Sequence, residues 1–223
     1  MEGNMVIAAC VLALVCGYFI GNVETAIIVS KTRYHDDIRN HGSGNAGTTN
    51  MLRIFGVKSA AATFVCDFLK AVVAMITGML ILKLAAPNES VLGASPVSVG
   101  GYISAVGVIL GHNFPIIFRY KGGKGVACSL AIAWLAAPLP ALVTSIAAAA
   151  VIAIWRMVSL GALVGITVFT ALTIALYNEN IPLVILCAFM FIMIFIRHRK
   201  NIARIIRGEE SKLSLKKKTD ETT

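Results

Sequence analysis

Long apolar stretches alternate with short polar ones along the whole chain. A helix that crosses a bilayer needs about 20 mostly apolar residues. Seven stretches meet or approach that length: 5–29, 58–84, 97–112, 126–137, 139–155, 160–177 and 181–196. The fourth is short. Pro138 and Pro140 favour a tight reversal that pairs it with the fifth, and five crossings plus re-entrant helices is the rival count. The pattern predicts an all-α, polytopic membrane helix bundle with about seven transmembrane helices. One integral membrane domain over 1–208 is expected, then a polar tail over 209–223 that carries Lys216, Lys217 and Lys218. The first stretch lacks a basic n-region and is longer than a signal-peptide core, so it reads as a retained spanning helix.

Composition supports this class. Hydrophobic residues make up 57% of the chain and charged residues 14%, against roughly 25% charged in soluble domains. The formal charge of +9 would suit nucleic acid, but no nucleic-acid motif accompanies it. Its placement suits a membrane instead. Lys31, Arg33, Arg39, Arg53, Lys58, Arg119, Lys121, Lys124 and Arg156 fall in alternate loops, and a basic run from Arg197 closes the last helix. The loops around 87–96, 138–140 and 178–180 hold no Lys or Arg. Cytoplasmic loops carry the Lys/Arg excess, which predicts the N-terminus outside and the C-terminus cytoplasmic, near anionic membrane lipids. Cys10, Cys16, Cys66, Cys128 and Cys187 show no C-x-x-C spacing and read as small buried side chains. Gly17-x-x-x-Gly21 and Gly161-x-x-x-Gly165 permit close helix approach. Packing within the chain is preferred there over a dimer face, and a monomer is expected.

Two polar clusters interrupt the apolar pattern on the predicted cytoplasmic side. The first runs over 30–50 and concentrates glycines, hydroxyls, amides and cations: Ser30, Lys31, Arg39, Ser43, Gly44, Asn45, Gly47, Thr49 and Asn50. Residues 42–47 match G-x-G-x-x-G literally, but a dinucleotide fingerprint follows a strand, and here a spanning helix precedes it. The glycines still let backbone N–H groups face an anion. A plain flexible loop is the bland alternative. The second cluster contains His112, then Lys121, Gly122, Gly123, Lys124 and Gly125 leading into a helix. It lacks the P-loop frame, yet a helix N-terminus with adjacent ammonium groups attracts phosphate. Positive-inside anchoring explains its lysines but not its glycines or His112.

Asp67 and Lys70 share one face of an apolar helix and read first as a structural ion pair. His198, Asn201 and Arg204 recur at a spacing of three and so can face one way. No His/Asp/Glu cluster has credible metal-ligand spacing, and no cofactor is expected.

Taken together, these segments resemble the bacterial acyl-phosphate:glycerol-3-phosphate acyltransferases, a family of integral membrane enzymes. The resemblance rests on three ordered motifs. The first is Ser30-Lys31, Asp37-x-Arg39 and Gly42-Ser43-Gly44-Asn45-x-Gly47-x-Thr49-Asn50. The second is Gly111-His112-x-Phe114-Pro115 with Lys121-Gly122-Gly123-Lys124-Gly125-Val126-Ala127. The third is Arg197-His198-x-x-Asn201-Ile202-x-Arg204 with Gly208-x-Glu210. Arg156-x-Val158-Ser159-Leu160 fits as well. Thr48, Ile117, Cys128 and Glu209 depart from the usual pattern without removing a phosphate-ligand type.

The resemblance implies a bacterial membrane enzyme that moves a fatty acyl group from acyl phosphate to the 1-hydroxyl of sn-glycerol 3-phosphate. The implied products are 1-acylglycerol 3-phosphate (lysophosphatidate) and inorganic phosphate, an early step of phospholipid biosynthesis. It implies catalytic roles for His198, Asn201, Ser30 and Lys121. It implies substrate contacts from Lys31, Arg39, Ser43, Gly44, Asn45, Gly47, Thr49, Asn50, His112, Gly122, Gly123, Lys124, Gly125, Ser159, Arg204 and Glu210. The proton acceptor, His198 or a substrate phosphate, is left open. An H-x-x-x-x-D acyltransferase is not supported, because Asn40, Ala46, Ile117 and Ala203 stand five residues after the four histidines. A transporter for a phosphorylated solute is the rival from another class.

Overall fold

The computed structural model describes residues 2–87 and 90–213. Ten α-helices are found among them: α1 (Glu2–Gly21), α2 (Thr25–Tyr34), α3 (Thr48–Phe55), α4 (Val57–Ala85), α5 (Pro96–Asn113), α6 (Val126–Ala136), α7 (Pro138–Trp155), α8 (Val158–Tyr177), α9 (Ile181–Arg197) and α10 (Arg199–Ile206). No strand is present among the described residues; one isolated bridge joins Val91 and Ala94. The chain is an all-helical membrane bundle.

All seven predicted apolar stretches are helical, but they do not all have the length of a span. Five helical segments are long and apolar enough to cross, or six if α9 and α10, bent by 61° at His198, are counted together. At 11 residues, α6 extends only ~16 Å, about half a ~30 Å hydrocarbon core. The predicted reversal between α6 and α7 is a single residue, Ala137, followed by Pro138 in the first turn of α7.

The first stretch also differs from expectation. It breaks at Asn22–Glu24, where α1 ends and α2 begins. Asn22 folds back to donate from Nδ2 to the Tyr18 carbonyl at 2.7 Å, which ends α1 by satisfying a terminal acceptor. Glu24 turns inward and is fully buried.

Small residues let the helices meet closely, as expected where lipid supplies no hydrophobic drive between them. A Cβ at Gly17 or Gly21 would collide with carbonyls of α5, and one at Gly107 or Gly111 with carbonyls of α1. Gly161 packs against Ile152 and Ala148 of α7. Both glycine faces are thus used inside the chain. The central core joins Met75, Val108, Ile109, Ile132, Phe169, Leu186 and Met190. Ile7, Val11, Phe19, Ile146 and Ile154 point outward, as lipid-facing side chains do.

Of the polar tail expected from 209, only 209–213 lie within the described residues. That stretch packs on the bundle through Glu210 and through the Leu213 N–H, which donates to the Arg156 carbonyl at 2.5 Å. The lysines at 216–218 lie outside the described residues.

Candidate active site

Three polar segments from distant parts of the chain converge at one end of the bundle. The first is the 35–50 loop. Gly42 and Gly44 adopt φ of 58° and 70°, a region open to glycine without strain. They wrap the loop around Asn50, whose Oδ1 accepts from Ser43 N at 3.1 Å and whose Nδ2 donates to the Ile38 and His41 carbonyls at 3.2 and 3.0 Å. Arg39 grips Asp37 through Nε at 2.9 Å and through a terminal nitrogen at 2.7 Å, and donates to the Phe118 carbonyl at 2.9 Å. The last bond ties the first polar cluster to the second. The guanidinium beside Asp37 holds that carboxyl well below the usual range.

The second segment follows α5. Tyr18 and Asn22, at the end of α1, brace the turn after it: the Tyr18 hydroxyl donates to the Phe114 carbonyl at 3.0 Å and accepts from Ile116 N at 3.2 Å. The Gly122–Gly123 peptides are held from two sides. Gly123 N donates to the His112 carbonyl at 3.0 Å. Arg197 Nε donates to the Gly123 carbonyl at 3.0 Å, and a terminal nitrogen reaches both carbonyls at 2.7 and 3.1 Å. A Cβ at Gly123 would collide with His112 Nε2.

The third segment is the bend at His198 with α10. Lys124 Nζ donates to Asn201 Oδ1 at 2.5 Å, and Asn201 Nδ2 donates to Glu210 Oε1 at 2.6 Å. Ser159 Oγ and Arg204 Nε also donate to Glu210, both at 2.7 Å. Burial alone would raise Glu210, but these three donors hold it below its ordinary value. Lys124 is pushed down to about 8 by burial, with neighbouring arginines adding to the shift. At the bend, His198 Nδ1 lies 2.8 Å from the Ile194 carbonyl, so Nδ1 carries the hydrogen. Burial first, then Lys124, pushes His198 down to about 4. Its Nε2 therefore offers a lone pair at neutral pH.

Two adjoining clefts result. The first, of about 530 Å³, is lined by Asp37, Arg39, Asn40, Ser43, Gly44, Asn45, Arg119, Tyr120, Lys121, Gly122, Lys124, Ile196, Arg197, Arg199, Lys200, Asn201 and Arg204. Among the described residues, Arg119, Lys121, Lys124, Arg197, Arg199 and Lys200 have no carboxylate partner. Such a concentration of unneutralised cations suits a phosphate dianion. The second cleft, about 410 Å³, shares Ser43, Asn45, Lys124, Asn201 and Arg204 with the first, and adds Gly47, Thr49, Asn50, His112, Gly125, Ser159 and His198. Phe64, Val126, Ala127, Val158 and Ala162 give it an apolar wall. Together the clefts suit two anionic headgroups and an alkyl chain. Among the described residues no group of His, Cys, Asp and Glu is arranged to hold a metal.

A glycerol-3-phosphate acyltransferase family model matches residues 11–208. The chain belongs to the glycerol-3-phosphate acyltransferase family. It is 37% identical over 213 residues to the glycerol-3-phosphate acyltransferase of Clostridioides difficile (strain 630), covering 96% of this chain and all of that one. The corresponding protein of Alkaliphilus metalliredigens (strain QYMF) is 38% identical over 205 residues, covering 92% and 96% of the two chains. The fold is similar to the crystal structure of PlsY (YgiH), an integral membrane glycerol 3-phosphate acyltransferase, in its glycerol 3-phosphate form. There the TM-score is 0.78 at 26% identity, over 92% of this chain and 96% of that one.

Within this glycerol-3-phosphate acyltransferase, most of the expected site residues line one or both clefts. Four do not. Ser30 is fully buried; its hydroxyl donates to the Ile27 carbonyl at 3.0 Å and accepts from Ile38 N at 3.2 Å, so it fastens the loop from behind. Lys31 lies on the outer side of the loop, its ammonium 3.4 Å from Asp37 Oδ2. Gly123 is backed by His112. Glu210 lies outside both clefts and accepts from Ser159, Asn201 and Arg204. Conversely, Arg53, Arg119, Arg199 and Lys200 line the clefts although their charge alone reads as membrane anchoring. Arg197 was legible only as part of a motif. Tyr18 and Asn22 carried no signal, because each sits at the end of an apolar helix.

Proposed function

We propose that the enzyme transfers a fatty acyl group from acyl phosphate to the 1-hydroxyl of sn-glycerol 3-phosphate. The substrate oxygen attacks the acyl carbonyl carbon, the bond from that carbon to the phosphate oxygen breaks, and lysophosphatidate and inorganic phosphate leave. The observation that carries this reading is the contiguity of a cation-rich cleft with a half-apolar one through Lys124, Asn201 and Arg204. Two phosphates held side by side set a hydroxyl against an activated carbonyl, and such positioning removes about 7–11 kcal/mol of a barrier.

His198 Nε2 orients the hydroxyl by accepting its hydrogen bond. Burial pushes His198 down to about 4 in the unliganded site, which disfavours it as the base; in this reading the proton passes to a substrate phosphate oxygen, whose conjugate acid lies at ~6. The site lies at the cytoplasmic face of a bacterial cell membrane, with the N-terminus outside, in a single membrane domain. The enzyme acts as a monomer, a reading supported by the use of both glycine faces inside the chain.

The test is purified protein with labelled glycerol 3-phosphate, offered acyl phosphate and acyl-CoA in parallel. Lysophosphatidate formed only from acyl phosphate, with one phosphate released per transfer, is the expected result. Product only from acyl-CoA would refute the donor. Binding without product from either would refute the enzyme reading.

A further inference from the structure

Four ionisable side chains are buried together behind the second cleft: Glu24, Asp67, Lys70 and His112. The acyl-transfer chemistry above gives none of the four a role, although Asp67 and His112 line that cleft. Lys70 is the centre of it. Its Nζ lies 2.6 Å from the Val23 carbonyl, 2.9 Å from Asp67 Oδ1 and 2.9 Å from His112 Nδ1. An ammonium has three hydrogens and no acceptor capacity; here the Val23 carbonyl accepts one, Asp67 supplies an ion pair, and His112 Nδ1 stands at hydrogen-bond distance.

We propose that Lys70 is a positioning residue that fixes the tautomer of His112, so that the ring presents an Nε2–H donor, and not a lone pair, to the cleft. One contact argues the other way. Glu24 Oε1 is 2.9 Å from the same Nδ1, and a carboxylate there would favour a hydrogen on Nδ1. That hydrogen would face Lys70 donor to donor at 2.9 Å and leave one ammonium hydrogen without a partner in a buried site, where unmade hydrogen bonds are costly. The opposite tautomer leaves both Glu24 oxygens without a hydrogen bond, and the ammonium charge 3.6 Å away offsets that cost. Glu24, 3.6 Å from Nζ, acts instead as a second counter-charge that keeps Lys70 an ammonium.

The consequence lies in the cleft. His112 lines it, and its Nε2 sits against the Gly123 backbone, beside the peptides that Arg197 holds. An N–H at that place suits an oxygen gaining negative charge as the acyl group transfers. His198, whose Nδ1 is bonded to a carbonyl, presents the opposite: a lone pair. The two histidines of the cleft thereby take complementary roles, one donor and one acceptor. This assignment of His112 rests on the acyl-transfer reading, whereas the tautomer itself does not.

The decisive measurement is the ¹⁵N spectrum of full-length protein labelled at histidine, in micelles, with His112 assigned by its loss in His112→Gln. A hydrogen on Nε2 and none on Nδ1 is expected. A His112 Nε2 without a hydrogen overturns the proposal whatever the enzyme transfers. Lys70→Met frees Nδ1 to donate to Glu24. It should move the hydrogen off Nε2 and lower kcat about a hundredfold, the scale of one oriented donor, with little change in KM for glycerol 3-phosphate. A folded Lys70→Met protein that keeps the wild-type spectrum also overturns it. If wild-type protein makes no product from acyl phosphate, the reading of the reaction fails while the spectrum still reports on Lys70.

Discussion

The ammonium of Lys124 donates to Oδ1 of Asn201 across 2.5 Å, and that contact joins the loop before α6 to the C-terminal helix. Lys124 has no carboxylate partner of its own among the described residues, so its charge stays available to an anion. Glu210 reaches it only through Asn201.

Acyl phosphate binding should weaken as pH rises through about 8, where Lys124 loses its proton. Roughly a tenfold rise in KM between pH 7 and 9 is expected, the scale of one ~1.5 kcal/mol charge-assisted bond. Lys124→Arg keeps its charge and should remove the step. The stability sign is opposite: the folded value lies below the unfolded one, so burial of the charge costs most below about 8, and the cost disappears as pH rises towards the unfolded value. Pulling both curves from one pH series of KM and melting temperature checks the assignment.

Arg197→Lys should lower kcat/KM about 10–100-fold. The planar fork that meets both glycine carbonyls is lost, and a bond to a charged donor contributes ~1.5–3 kcal/mol. Steady-state kinetics at fixed pH measure this; unchanged kcat/KM would show that the Gly122–Gly123 peptides do not need the fork.

Glu210→Ala should lower the melting temperature, by an unfolding free energy of about 1–3 kcal/mol, and release the 209–213 segment to protease. Because the folded Glu210 value is depressed, the wild-type contribution is fully present above the ordinary carboxylate range. It fades as pH falls through the folded value. The alanine variant should lack that acid-side loss.

Ala162→Leu should shift donor preference towards shorter acyl chains, because it fills the apolar wall of the second cleft without touching its cations. Each lost methylene of burial costs about 0.8 kcal/mol, so competition between long- and short-chain acyl phosphates resolves the effect. An unshifted ratio would move the acyl chain elsewhere.

The helices and the two polar clusters were legible in the sequence because both follow from local composition. Apolar runs form helices in lipid because every backbone N–H and C=O must be satisfied within the segment there, and glycine-rich basic loops between them have no apolar face to bury. The resemblance in three motifs named the residue types of the site. It did not separate Asn201, which faces the clefts, from Ser30, which is spent on the backbone behind them. The shortness of α6 was legible in the stretch 126–137 and the prolines after it, but composition did not reveal that the first apolar run breaks at Asn22.

What the sequence determined by itself was the class of structure and the chemistry available: cations, glycine N–H groups and two histidines at a membrane edge. Only the tertiary structure decided which cations remain without a carboxylate, which groups each histidine's Nδ1 meets, and which glycines are pressed against a ring. Those properties depend on contacts between residues far apart in the chain, such as Arg39 with Phe118, Arg197 with Gly123 and Lys70 with His112. Hydrogen bonding and charge neutralisation act over a few ångströms, and separation along the chain does not reveal which groups folding brings that close.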